Sequence, residues 1–286
     1  MSLTMGNGPF GHVPAGRFNT ELDSEGLIYL EPSPRWIRGT FAGELVVDSR
    51  AVRVLHEARQ LARYYFPRGD VRMDLLERSD HTTSSPPKGD AEYWHLRVGD
   101  RVVENAAWSY PDPPEGASGL AGLIAFYWRA MDEWREEDEV ALSHARDPYH
   151  RVDVVRTSRH VRVSIDGAVV AESRRALVLY EAGLPPRWYL PAEDVSAPLR
   201  ESDLKTTCAY KGHAEYRSVE LGDEVRENIA WLYREPLHDA AGVVDRLAFF
   251  NEQVDIEVDG ELQERPGGPW AHPRWWDIEV EFVRSL

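Results

Sequence analysis

The chain has 286 residues, 42% of them hydrophobic and ten of them Trp, which is enough apolar material for one large core or two of ordinary size. Its formal net charge of −16 opposes nucleic-acid binding, because phosphate recognition relies on clustered Lys and Arg that release counterions. A single cysteine excludes an intramolecular disulfide, and with no CxxC, HxxH or HExxH spacing no metal site and no cofactor is predicted.

The opening MSLTMGNGPF has neither a basic n-region nor an apolar h-region, and no apolar run approaches membrane-spanning length. A cytoplasmic protein without a membrane or nucleic-acid partner is expected. Strands dominate from there. AEYWHLRVGDRVVENAAWSY predicts a hairpin about Gly99-Asp100. GLAGLIAFYWRAMDEW, residues 119 to 134, spaces its apolar residues as a helix does, with the acidic run DEWREEDEV as its solvated end. SHARDPYHR, residues 143 to 151, marks a boundary. HVRVSIDGAVVAES then alternates on both sides of Asp166-Gly167, whose residue types suit the positive φ angles of a tight turn. ALVLYE supplies the next strand, AEYRSVELGDEVRENIAWLY a hairpin about Gly222-Asp223, and AGVVDRLAFF (residues 241 to 250) a second short helix.

The two halves repeat. KGDAEYWHLRVGDRVVENAAWSYPDP from Lys88 returns as KGHAEYRSVELGDEVRENIAWLYREP from Lys211, and DSRAVRVLHEARQLARYYFPRGDV from Asp48 returns as ESRRALVLYEAGLPPRWYLPAEDV from Glu172. Repetition over so long a period signals duplicated domains rather than a solenoid. The expected architecture is mainly β: two repeated antiparallel modules over residues 25–142 and 150–262, each with one short helix, and a C-terminal arm over residues 263–286. That arm has no counterpart after the first copy. It is expected to pack a strand or arm across the repeats and to bury Trp275 and Trp276.

LPPRWYLPAEDV, TTCAYKGHAEY, NIAWLY and AFFNEQVDIEVDGE resemble the bacterial DUF427 family in a tandem, full-length form. The resemblance implies a β module similar to the Mss4-like or β-tent folds, some of which bind zinc through paired CxxC knuckles, carry thiol chemistry or hold a ligand in a Trp-lined cage. This chain lacks the knuckles, so zinc does not carry over. The nucleotidyltransferase-like label sometimes attached to the family finds neither a Gly-Ser phosphate loop nor paired aspartates here.

The family's Cys-Pro-Tyr-Lys-Gly motif falls on Cys208, Ala209, Tyr210, Lys211 and Gly212 in the second copy, and on Ser85, Pro86, Pro87, Lys88 and Gly89 in the first. Cys208 reads either as a thiol activated by Lys211 and His213 or as a buried filler, and the absence of a resolving cysteine favours the filler. Between the copies Glu57/Glu181, Arg63/Arg187, Asp70/Asp194, Lys88/Lys211, Glu92/Glu215, Asn105/Asn228, Trp108/Trp231 and Tyr110/Tyr233 are retained. Arg187 is expected to pair with Glu181 or Asp194 as a structural contact. Lys211 reads as an anion ligand, a base, a Schiff-base amine or a solvated loop charge. Trp108 and Trp231 are expected in the core, whereas Trp188 and Tyr189, beside Pro185-Pro186, are expected to face a cleft.

Three functions follow. The first is a binding protein for a small anionic or carbonyl-bearing ligand, with Arg187, Trp188, Tyr189, Tyr210, Lys211 and His213 forming the site in the second copy and Arg63 and Lys88 their counterparts in the first. The alternatives are an enzyme using Lys211, with or without Cys208, and a protein-interaction scaffold. Pro87 in place of Tyr210 predicts the second copy as the better binder.

Overall fold

The computed structural model describes residues 3–20 and 26–276. The chain divides into two compact units between His150 and Arg151. The first contains β1 (Ile28–Pro32), β2 (Ile37–Phe41), β3 (Glu44–Ser49), β4 (Arg53–Glu57), β5 (Arg63–Pro67), β6 (Leu76–Ser85), β7 (Gly89–Val98), β8 (Arg101–Ser109), β9 (Leu123–Phe126), β10 (Glu133–Glu136) and β11 (Glu139–Ala141). The second contains β12 (Val152–Arg156), β13 (Val161–Ile165), β14 (Ala168–Ser173), β15 (Leu177–Glu181), β16 (Arg187–Pro191), β17 (Leu199–Cys208), β18 (Gly212–Leu221), β19 (Glu224–Tyr233), β20 (Arg246–Phe249), β21 (Asp255–Val258) and β22 (Glu261–Leu262).

Each unit holds a seven-stranded and a four-stranded sheet of the same topology. The large sheets run β1-β4-β5-β9-β8-β7-β6 and β12-β15-β16-β20-β19-β18-β17, and the small ones β11-β10-β2-β3 and β22-β21-β13-β14. All named strand pairs are antiparallel. The predicted hairpin turn joins β13 to β14, with Asp166 at φ 49° and Gly167 at φ 81°, the pair of positive angles that matches strand twist.

The two predicted helices are corrected. Their apolar runs are β9 and β20, inserted in the large sheets between β5 and β8 and between β16 and β19. Ile124, Ala125 and Phe126 are buried on both faces, and so are Leu247, Ala248 and Phe249. A short apolar run of this kind has no alternation to separate it from a buried helix. The six-residue 3-10 turns Glu115–Leu120 and His238–Val243 begin just upstream of these strands, and of the first predicted helix only the short 3-10 turn Trp128–Ala130 is helical beyond β9. DEWREEDEV is likewise no helix end: it folds as β10, a turn and the start of β11, and buries Glu136 against Tyr64 and Arg35.

Successive side chains on a strand point to opposite faces, so each large sheet serves two cores. Tyr64 and Phe66 of β5 enter the core shared with the small sheet, while Tyr65 enters the opposite core with Trp108 and Tyr110. In β16, Trp188 and Leu190 face one core and Tyr189 the other, with Trp231, Tyr233, Phe250 and Trp275. The expectation that Trp188 and Tyr189 line one cleft is therefore corrected, since both are buried and they lie on opposite faces. Trp108 and Trp231 are core residues. Of the C-terminal arm, Trp275 is buried against the second unit and Trp276 is half-buried; the rest of the arm, from residue 277, lies outside the described residues. Among the described residues no helix is long and apolar enough to cross a membrane.

Candidate functional site

The lysines retained in both copies sit at the same tight turn. In the second unit, Ala209, Tyr210 and Lys211 join β17 to β18, and Gly212 follows at φ 96°, where a Cβ would come 3.2 Å from the Glu235 carbonyl. The Leu237 amide donates to the Lys211 carbonyl at 3.1 Å and ties the turn down. This directs the Lys211 ammonium inward, where it donates to the Glu181 carboxylate at the end of β15 with both groups buried. Burial works against the charged ammonium, but the nearby Cys208 sulfur, the Glu181 carboxylate and the Tyr189 hydroxyl outweigh it and raise its pKa above the ordinary lysine value. A lysine so held is protonated at neutral pH and offers no lone pair to a substrate. It is not a solvated loop charge either.

The other motif residues disperse. Cys208 is half-buried, and its Sγ accepts the Tyr210 amide at 3.5 Å. His213 is exposed, with its Nδ1 3.0 Å from the Thr207 hydroxyl, and Tyr210 is buried.

Arg187 is paired, but neither with Glu181 nor with Asp194. Glu181 holds Lys211, and Asp194 accepts hydrogen bonds from Ser173 at 2.6 Å and from Arg175. The Arg187 guanidinium instead donates two hydrogen bonds to Glu252, at 2.7 and 2.6 Å, inside the core. Its carbon lies 5.5 Å from the Trp231 ring, 5.9 Å from Phe250 and 5.6 Å from Trp270. Beneath it the Trp231 indole donates to the Tyr189 hydroxyl at 3.0 Å. The cationic cleft expected in the second copy is thus closed, with both of its cations neutralised by buried carboxylates.

The first copy keeps the scaffold and changes the charges. Lys88 donates to Glu57 at 2.5 Å and lies 5.6 Å from the Tyr110 ring. Trp108 donates to the Tyr65 hydroxyl at 3.1 Å, as Trp231 does to Tyr189. Arg63 sits 5.5 Å from the Trp108 ring, matching Arg187 over Trp231. Yet the place two residues beyond Tyr127, equivalent to Glu252 beyond Phe250, is Arg129, which is exposed. Among the described residues Arg63 makes no hydrogen bond or ion pair, and it is only partly buried.

Two stretches of this chain, residues 29–137 and 153–260, match the family described as a domain of unknown function, DUF427. The chain belongs to the DUF427 family. No curated protein matches it.

In these DUF427 modules most of the other retained pairs have fold-level roles. Asn105 and Asn228 adopt φ 51° and 52° where β8 and β19 bulge, and their Oδ1 atoms accept from Ser79 and Ser202. Asp70 and Asp194 accept from Ser49 and Ser173. Glu92 pairs with Arg78, and Glu215 with Arg217. A small cavity in the first module, lined by Tyr64, Trp128, Trp134 and His144 among others, lies on the opposite sheet face from Tyr65. Arg63 also borders it, while two of its polar groups are satisfied internally: Tyr64 donates to Glu136 at 2.5 Å, and Trp134 donates to the Trp128 carbonyl at 2.8 Å. Among the described residues no group of His, Cys, Asp or Glu comes together as a metal site. Glu252 is the residue that motif reasoning passed over. A signal for Glu252 does exist, because the repeat exchanges acid for base at that position.

Proposed function

We propose that this DUF427 protein binds a small anionic ligand, and that the first module carries the site. The observation that supports this reading is Arg63, a part-exposed guanidinium beside Trp108 with no carboxylate partner, where its counterpart Arg187 is neutralised by Glu252. A planar guanidinium with free N–H groups favours two-point recognition of a carboxylate or phosphate. Exposed Arg129, two residues past Tyr127, adds positive charge on a chain of net charge −16, so an anion meets a local field that the rest of the surface opposes. The preference for the second copy gives way because Arg187 and Lys211 spend their charge on internal partners. An enzymatic role for Lys211 gains no support from an amine held as ammonium by Glu181.

Calorimetric titration of acetate and inorganic phosphate into the full chain tests this. Saturable binding should be lost in Arg63→Gln and kept in Arg175→Gln, a variant of an exposed arginine on the second module. Binding unchanged in Arg63→Gln, or no binding of either anion, overturns the reading.

A further inference from the structure

The second module carries its own filling. Glu252 places a carboxylate on Arg187 in two-point geometry, and Trp270 lies over the same guanidinium. Trp275, only 1% exposed, stands 5.3 Å from Tyr216 and 4.9 Å from Phe250. An acid and an indole from the chain itself therefore occupy this aromatic face.

The first module keeps the receiving groups and lacks the fillers. Tyr93 stands for Tyr216 and Tyr127 for Phe250, with Tyr127 4.8 Å from Trp108 where Phe250 is 4.4 Å from Trp231. Arg129 replaces Glu252. Among the described residues Tyr93 and Tyr127 hydrogen-bond to each other, His81 stands 4.5 Å from Tyr93, and both tyrosines contact Trp108, with no ring in the place that Trp275 takes beside Phe250. Exposure follows at two of the positions: Phe250 and Arg187 are buried, whereas Tyr127 and Arg63 are half-buried; Tyr93, beneath His81, stays as buried as Tyr216.

We infer that the first module binds an aryl carboxylate, its carboxylate paired with Arg63 and its ring laid on Tyr127 where the second module lays Trp275 on Phe250. The inference rests on the anion reading above and adds the ring to it. Aromatic pairs attract beyond the area they bury, and a carboxylate matches the guanidinium fork, so the two halves of such a ligand reinforce one another.

The test uses the full chain and four probes by calorimetry: indole-3-acetate, acetate, indole and inorganic phosphate. Indole-3-acetate should bind one per chain and at least tenfold more tightly than acetate. Tyr127→Ala should remove that tenfold gain and leave acetate unchanged. Arg129→Glu restores the acid of the second module and should abolish carboxylate binding while the melting curve reports a folded chain. Indole-3-acetate binding no tighter than acetate or phosphate overturns the inference, and leaves the anion reading standing if those anions still depend on Arg63. Tight binding insensitive to both Tyr127→Ala and Arg129→Glu overturns it as well. If no probe responds to Arg63→Gln, both readings fall.

Discussion

Lys211 and Lys88 occupy equivalent turns and differ in how completely their carboxylates are removed from water. The Glu181 side chain is 4% exposed and that of Glu57 is 21% exposed. Removing one member of a buried pair strands the other, at a cost of about 3–5 kcal/mol, whereas a half-solvated carboxylate recovers part of its hydration. Lys211→Met should therefore destabilise the protein by about that amount in denaturant unfolding, and Lys88→Met by distinctly less. Equal losses in the two variants would refute the distinction. The sign with pH also follows. A lysine whose folded pKa is raised contributes its full stability below the ordinary value of 10.5 and loses it as pH climbs through the raised one. The stability difference between wild type and Lys211→Met should hold through neutral pH and narrow in strong alkali. These roles were only half legible in the sequence. The repetition of lysine pointed to a fixed purpose, but Glu181 lies 30 positions away and meets it only through the pairing of β15 with β16 and the sheet beyond.

At the scale of the element, the hairpins were legible because their turns carry chemistry. Asp166-Gly167 requires positive φ, and alternation on either side sets the register. β9 and β20 were not legible, because a strand buried on both faces loses its alternation and its apolar spacing imitates a helix. The bulges of β8 and β19 lie between these cases. Asn105 and Asn228 recur at one position, yet the reason for asparagine appears only with φ near 52° and with the Ser79 and Ser202 hydroxyls donating to the side chains. Asparagine tolerates the left-handed region better than residues that cannot bond locally. Asn228→Gly should lose only the Ser202 hydrogen bond, about 1 kcal/mol, and Asn228→Ala should lose about 1 kcal/mol more through backbone strain. Chemical denaturation of the two variants checks the order, and Ala milder than Gly would contradict the bulge as the cause.

For the whole molecule, duplication supplies its own control. The two modules share topology, turn lysines and the Trp-to-Tyr hydrogen bond, so their differences stand out against a common frame. The difference that matters is where the charge on the inner arginine is neutralised: by Glu252 within the second module, and by no described residue in the first. If a filled acid and a filled indole are what close the second module, removing both should open it. Trp275→Ala alone leaves Glu252 on Arg187, and Glu252→Gln alone leaves the indole on Tyr216 and Phe250, so neither single change should add a site. The double variant Glu252→Gln with Trp275→Ala should bind two aryl carboxylates per chain instead of one. It should also start out less stable, since a large ring leaves the core at a cost of about 3–5 kcal/mol and a buried guanidinium loses its acid. Indole-3-acetate should then raise its melting temperature more than it raises that of the wild type, because a ligand bound only by the folded state stabilises in proportion to its occupancy. Calorimetry on the double variant decides the matter: a stoichiometry that stays at one, in a chain that still melts cooperatively, would show that the fillers of the second module are packing and not stand-ins for a ligand.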